Sequence, residues 1–353
     1  MKQEQNASSD PGPRLLVLVI SAMALLWVAL AAGCNRSSAT ATSSGEGKPQ
    51  IVTTTGMVRD MVAALVGEDA DVVAIMGAGV DPHLYQPSRG DSVKLQRANV
   101  VVYNGLHLEG RLGEVLESRS KAGGATIAVG ETLRREQLMD ADAGLHDPHI
   151  WMDVSLWSQA MSHVAEALAD ALPDHAEKIR QRAVDYGQRL AGLHAEGAAA
   201  MDTIPESQRV LVTAHDAFRY FGRQYGVEVH GVQGVSTISD AAISDVNRLV
   251  ELIVAKKVPA VFFESSVSPR QVKAIVEGAR RKGLEVSSDS TLLSDSMGAD
   301  NTPEGTYIGM MRYNFHTIAV ALGGKVPARV DVSQATVEEQ APEAVVLEVG
   351  GES

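Results

Sequence analysis

The sequence predicts an α/β protein of two lobes, each a mostly parallel sheet flanked by helices, joined by one long helix. Three observations predict it. The chain has 353 residues, which at about 150 residues per domain allows two domains. Short apolar runs rich in β-branched residues alternate with helical patterns in each half, and such alternation builds parallel sheets covered by helices. Between the halves, from Asp174 to Met201, no strand signal appears.

The chain begins with a leader. Leu15 to Gly33 is an uncharged run of 19 residues. It is long enough to span a bilayer, but its place near the N-terminus and its small-residue end read as a secretory signal over residues 1–33. Ala31-Ala32-Gly33-Cys34 resembles a bacterial lipobox, in which Cys34 is lipidated and becomes the mature N-terminus. Ala31 stands where Leu is preferred, and Lys2 and Arg14 are offset by Glu4 and Asp10, so an uncleaved anchor is the alternative. Both readings put the rest of the chain outside the cytoplasmic membrane, attached to it by its N-terminus. Residues 34–49 then read as a polar Ser/Thr/Gly tether.

The first lobe is expected over residues 50–172. Ile51–Thr54, Asp71–Met76, Val100–Tyr103 and Thr126–Val129 read as buried strands, with helices near Val58–Val66, Ser88–Arg97 and Gly110–Ser118. Residues 173–204 form the linking helix. Its apolar positions Ile179, Ala183, Tyr186, Leu190 and Leu193 step by 4, 3, 4 and 3, which keeps one stripe on one face. Pro173 suits the start and Asp174 an N-cap, while Gly187, Gly192 and Gly197 each weaken a helix by about 1 kcal/mol. The second lobe, residues 205–326, has strands at Val210–Thr213, Glu228–Val232, Ala260–Phe263 and Leu284–Ser287. Helices are expected near Ala217–Tyr225, Ala242–Ala255 and Arg270–Lys282. From residue 327 to 353 the chain carries six acidic residues and one base and reads as a disordered tail, with Ala344–Leu347 as a short edge strand.

Charge and composition narrow the function. A formal net charge of −13 argues against a nucleic-acid partner, whose phosphates are bound by Lys and Arg. A single cysteine excludes an intramolecular disulfide and any CxxC-type zinc or redox motif. Ten histidines remain as the available soft ligands.

Two segments echo each other: Asp81-Pro82-His83-Leu84-Tyr85 and Asp147-Pro148-His149-Ile150-Trp151. In each a proline stiffens the turn before a histidine, and an aromatic ring two residues later is placed to shield one side. A single such histidine is usually just solvated, but two copies in one lobe favour ligand roles. His215 follows the buried run Val210–Ala214, at the carboxyl end of a strand, where open α/β sheets place their ligands. Asp295 lies in a loop after the last strand and on local sequence alone reads as a turn or cap residue. Asp153, Asp216 and Glu264 are candidates to orient ligand imidazoles, with helix caps or strand-end ion pairs as the equal alternative. His146 is a candidate capture residue beside the second motif.

Taken together, DPHLYQPS (Asp81 to Ser88), DPHIWMD (Asp147 to Asp153) and HDAFRYFGRQYG (His215 to Gly226) carry a resemblance. GVQGVST (Gly231 to Thr237), FFESS (Phe262 to Ser266), LLSDSMG and EGTYIGMMRYN (Glu304 to Asn314) extend it. The chain resembles the metal-binding lipoproteins of bacterial ABC importers for zinc and manganese, the TroA/ZnuA/PsaA-like cluster, over about Gln50 to Gly324. That resemblance implies two α/β lobes with metal in the cleft between them, His83, His149, His215 and Asp295 as ligands, and a membrane permease as partner. The protein is expected to be a monomer. Three imidazoles and a carboxylate suit tetrahedral Zn²⁺, and the Irving–Williams order favours Zn²⁺ over Mn²⁺; Fe²⁺ is the least expected of the three metals. The His-rich loop of many zinc-specific members is missing, since Glu131 to Asp147 holds only His146. The competing classes are a zinc hydrolase, which should show a general base as in HExxH, and a surface adhesin.

Overall fold

The computed structural model describes residues 47–141 and 144–326. The expected leader (1–33), Cys34, most of the tether and the acidic tail from 327 with its Ala344–Leu347 strand lie outside the described residues.

In the first half, β1 (Gln50–Thr53), β2 (Asp71–Ala74), β3 (Val100–Tyr103) and β4 (Ala125–Ala128) form an all-parallel sheet in the order β2-β1-β3-β4. The alternating Cβ directions of a strand split its residues between two cores. Ile51, Val100 and Val102 face the main core, whereas Val52 and Val101 face a smaller one with Leu95, Leu112 and Leu116. The main-core face is covered by α1 (Gly56–Val66), which Thr55 caps by accepting from the Val58 amide. The opposite face is covered by α2 (Arg89–Arg97) and α3 (Leu112–Lys121). A capping box between Ser88 and Asp91 starts α2.

The long helix is α5 (Ala176–Asp202), reached through α4 (Val154–Ala171). At 1.5 Å per residue its 27 residues span roughly 40 Å. Ile179, Tyr186, Leu190 and Leu193 are buried along the expected stripe. Its start differs from expectation: Pro173–His175 is a 3-10 turn containing Asp174, and His175 occupies the cap position without a side-chain capping bond. Gly197 is explained by packing, because a Cβ there would meet the Phe315 ring at 2.3 Å.

In the second half, β5 (Val210–His215) pairs in parallel with β6 (Glu228–Gln233), and β7 (Phe263–Glu264) with β8 (Thr291–Leu292). Phe262 N donates to Val212 O and joins the two pairs. The expected strands Ala260–Phe263 and Leu284–Ser287 are displaced, for a local reason. Val261, Phe263 and Ser265 donate to Ser287, Ser290 and Leu292, so one extra residue lies between the first two acceptors and interrupts the ladder. Flanking helices are α6 (Arg219–Tyr225), α7 (Ile243–Lys256) and α8 (Arg270–Arg281). The chain then returns in α9 (Tyr307–Ala321). Helices α4 and α9 are additions to the elements expected from periodicity. Helix α9 lies on α5 and places Tyr307 against Trp157 and Phe315 against Phe221. The main core therefore runs without a break from Ile51 to Leu322.

One buried acid ties the first sheet to its loops. Glu109 accepts from Thr54 Oγ1 (2.8 Å), Asn104 N (2.7 Å) and Gly105 N (3.1 Å). Burial outweighs these bonds and pushes its carboxyl up to about 7 from 4.5. A raised carboxyl pKa means that the folded state holds the proton more tightly. Its contribution to stability is thus full below about pH 4.5 and is lost as pH rises through about 7. Urea unfolding from pH 4.5 to 8 should show this loss, about 3 kcal/mol at most. Glu109→Gln should flatten that slope while lowering absolute stability; an unchanged slope would remove Glu109 as its source.

Candidate metal centre

Each of the four residues stands at the carboxyl end of a strand or in the segment that follows it. His83 follows β2, His149 follows β4, His215 is the last residue of β5, and Asp295 follows β8. The duplicated motif has a local physical basis. Asp81 Oδ1 accepts from His83 N (2.9 Å) and Asp147 Oδ1 from His149 N (3.0 Å), so each Asp-Pro-His is an Asx turn closed on its histidine. Gly110, at φ +45°, leaves room for the first turn, since a Cβ there would lie 2.7 Å from the His83 carbonyl oxygen.

The structure brings the four side chains together, all buried, with one ligand-type atom from each within 4.8 Å of the others. His83 Nε2 is 3.3 Å from His149 Nε2, His149 Nε2 is 3.4 Å from Asp295 Oδ1, and His215 Nε2 is 3.2 Å from Asp295 Oδ2. His83 Nε2 lies 3.8 Å from Asp295 Oδ2. Donors about 2.0–2.1 Å from a tetrahedral ion stand about 3.3–3.4 Å apart, so these spacings are close to the edges of such a shell. Neither Asp295 oxygen has a hydrogen-bond donor among the described residues. A fully buried carboxylate with both oxygens free toward three imidazoles is a donor set that fits a cation.

The far sides of two rings are held by carboxylates. Asp147 Oδ1 is 2.8 Å from His149 Nδ1, and Glu264 Oε2 is 2.7 Å from His215 Nδ1. Glu264 Oε1 also accepts from His215 N at 2.9 Å. Both contacts aim an Nε2 into the cluster, as outer carboxylates do for metal-binding histidines. Of the three expected orienting acids, Glu264 alone touches a site imidazole. Asp153 caps α4 by accepting from Ser155 N and Leu156 N, and Asp216 accepts from Gly231 N. Asp147, which does hold an imidazole, was readable two residues before His149. Of the two shielding rings expected, Trp151 packs edge-on against His149 at 5.2 Å and donates to Ser294 O. Tyr85 instead donates to Asp91. His146 and His107 line a cavity of about 440 Å³ that opens on His83, with His146 Nδ1 3.5 Å from Asp140.

Electrostatics divide the cluster. Burial, aided by the neighbouring imidazoles, pushes His83 down to about 3. Burial also opposes charge on His149, but Asp147 and Asp295 outweigh it and raise the ring to about 9. His215 is raised well above its ordinary value because Asp295 and Glu264 overcome burial. Asp295 is held well below the carboxylate range, since His215 and His149 overcome its burial. A cation arriving here displaces protons from imidazoles, so its apparent affinity falls as pH falls.

Residues 51–321 match the family model described as ZnuA, zinc-uptake complex component A, periplasmic. The manganese-binding lipoprotein MntA of Bacillus subtilis is 43% identical over 291 residues, covering 82% of this chain and 94% of MntA. The zinc-binding protein TroA of Treponema pallidum is 42% identical over 280 residues, covering 79% and 91%. The solved structure of TroA superposes with a TM-score of 0.76 over 78% of this chain and 99% of that one. The hydrolase alternative falls away with this kinship, because the relatives are binding components of transporters. Matched over most of its length, the chain belongs to the zinc-uptake component A family and is an extracytoplasmic, metal-binding solute-binding protein of ABC importers, not an enzyme.

Proposed function

We propose that His83, His149, His215 and Asp295 hold the transported ion, that this ion is Zn²⁺ in preference to Mn²⁺, and that a membrane permease receives it. Fe²⁺ ranks behind both. The observation that carries the reading is the convergence of three Nε2 atoms on the two bare oxygens of Asp295. Four protein donors close a tetrahedral shell and leave no position for a reactive water, as capture without hydrolysis requires. Three nitrogens and the Irving–Williams order favour zinc. Asp295 faces its neighbours with both oxygens, which admits a fifth contact and keeps manganese in reach. Kinship does not choose, since relatives at 43% and 42% identity carry manganese and zinc in their names.

The ion would bridge residues 50–172 and 205–326 across the linking segment 173–204, and would favour one relative arrangement of the loops that a permease can read. Lipidation at Cys34 would keep this carrier at the membrane. Elemental analysis of the purified protein, followed by competitive titration with zinc and manganese, tests the assignment. One equivalent of metal is expected, with zinc displacing manganese. Retention of manganese against excess zinc would overturn the zinc preference, and absence of stoichiometric binding would overturn the site.

A further inference from the structure

We propose that Arg219 is a positioning residue for the metal: through Asp147 it holds the His149 imidazole, so the helix following one histidine ligand orients another. This rests on the four-ligand reading above and deepens it.

Helix α6 begins four residues after His215, and its side chains reach back to the segment that carries His149. Arg219 Nη1 lies 3.3 Å from Asp147 Oδ2 and donates to Asp140 O at 3.0 Å. Tyr220 Oη donates to Asp147 O (2.9 Å) and accepts from Met139 N (3.0 Å). Arg223 donates to Gln137 O (2.9 Å) and stacks over the Tyr220 ring at 4.9 Å. Three side chains of one short helix thus hold Gln137, Met139, Asp140 and Asp147.

Arg219 differs from the other two in what it touches. Asp147 is fully buried, and its Oδ1 is committed to the His149 amide and to Nδ1. A buried carboxylate without a counter-charge is costly, and Oδ2 is the atom left for a cation. The guanidinium fork supplies it while a second bond anchors the fork to the Asp140 carbonyl. Without that cation, Asp147 gains by turning toward water, and the His149 ring loses the contact that aims its Nε2. The carboxylate behind His215 is arranged differently: Glu264 faces the Nδ1 atom and the amide of His215, and no Lys or Arg forms an ion pair with it among the described residues. Arg219 therefore couples the strand-end histidine of one half to the turn histidine of the other, 66 residues apart in sequence by way of a pair 72 apart.

The test measures zinc affinity by competition with a chromophoric chelator for the wild type, Arg219→Gln, Arg219→Lys, His149→Ala, Asp147→Asn and the Asp147→Asn/Arg219→Gln double variant. Melting of each metal-free protein and the ligand-field spectrum of each cobalt(II) form are recorded beside it. Outer partners of metal-binding histidines are worth about 10–100-fold in affinity. Arg219→Gln should weaken zinc by about tenfold or more and alter the cobalt spectrum, Arg219→Lys should restore most of the loss, and Arg219→Gln should add little on the Asp147→Asn background. Zinc affinity and cobalt spectrum unchanged in Arg219→Gln, with or without a lower melting point, would overturn the positioning role while an impaired His149→Ala left the site intact. An undiminished Arg219→Gln effect on the Asp147→Asn background would also overturn it. Wild-type binding by His149→Ala would instead overturn the four-ligand reading and this inference with it.

Discussion

A His215→Ala variant loses roughly 10²–10³-fold in zinc affinity. Structural zinc sites with four protein ligands bind with about 10–16 kcal/mol. Divided evenly, each ligand carries about 2.5–4 kcal/mol, and 1.4 kcal/mol is tenfold. His215 should lie at the upper end, because its removal also leaves Glu264 without the imidazole that faces it at 2.7 Å. The measurement is competitive titration, with Asp295→Ala beside it. Stoichiometric, wild-type-strength zinc in His215→Ala would remove the residue from the ligand set, and the same result in Asp295→Ala would remove the carboxylate.

Zinc also raises the melting temperature by roughly 8–16 °C when free metal exceeds the dissociation constant a thousandfold. Mass action on a native-state site gives about 4 kcal/mol at that ratio, and a chain of this size gains about 2–4 °C per kcal/mol. The shift needs a site that the unfolded chain lacks, and His83, His149, His215 and Asp295, far apart in sequence, are brought within 4.8 Å of one another only in the folded chain. Differential scanning calorimetry with zinc and then with a chelator checks it. The rise should reverse on chelation and shrink to a few degrees in His215→Ala. A wild-type melting point indifferent to zinc would contradict binding at the four residues.

Legibility in the sequence followed the range of the interactions. The two Asp-Pro-His turns were readable because each closes within three residues, Asp81 to His83 and Asp147 to His149. His215 was readable because a continuous buried run fixes where β5 ends. Asp295 was not readable locally; its partners are 80 to 212 residues away, and only family resemblance singled it out. Arg219 escaped for the same reason. Among the elements, β7 and β8 shrank where one extra residue between Ser287 and Ser290 broke the ladder. Helix α4 was legible in principle: Trp157, Ala160, Met161, Val164, Ala165 and Leu168 keep the 3- and 4-residue steps of a core-facing helix.

The unbroken core along α5 sets what opening the protein would expose to water. Each aromatic ring buries about 150–250 Å². Drawing two of them out, for example Trp157 of the first half and Tyr307 of the second where they meet at 5.6 Å, would wet about 300–500 Å² at a cost of about 7–12 kcal/mol. That is comparable to the binding energy of the ion itself, so prising the halves apart would double the work of release. Loosening the turns that carry His83 and Asp295 wets almost none of this surface. Unloading by the loops, with the aromatic seam kept dry, is the cheaper route that the packing leaves open.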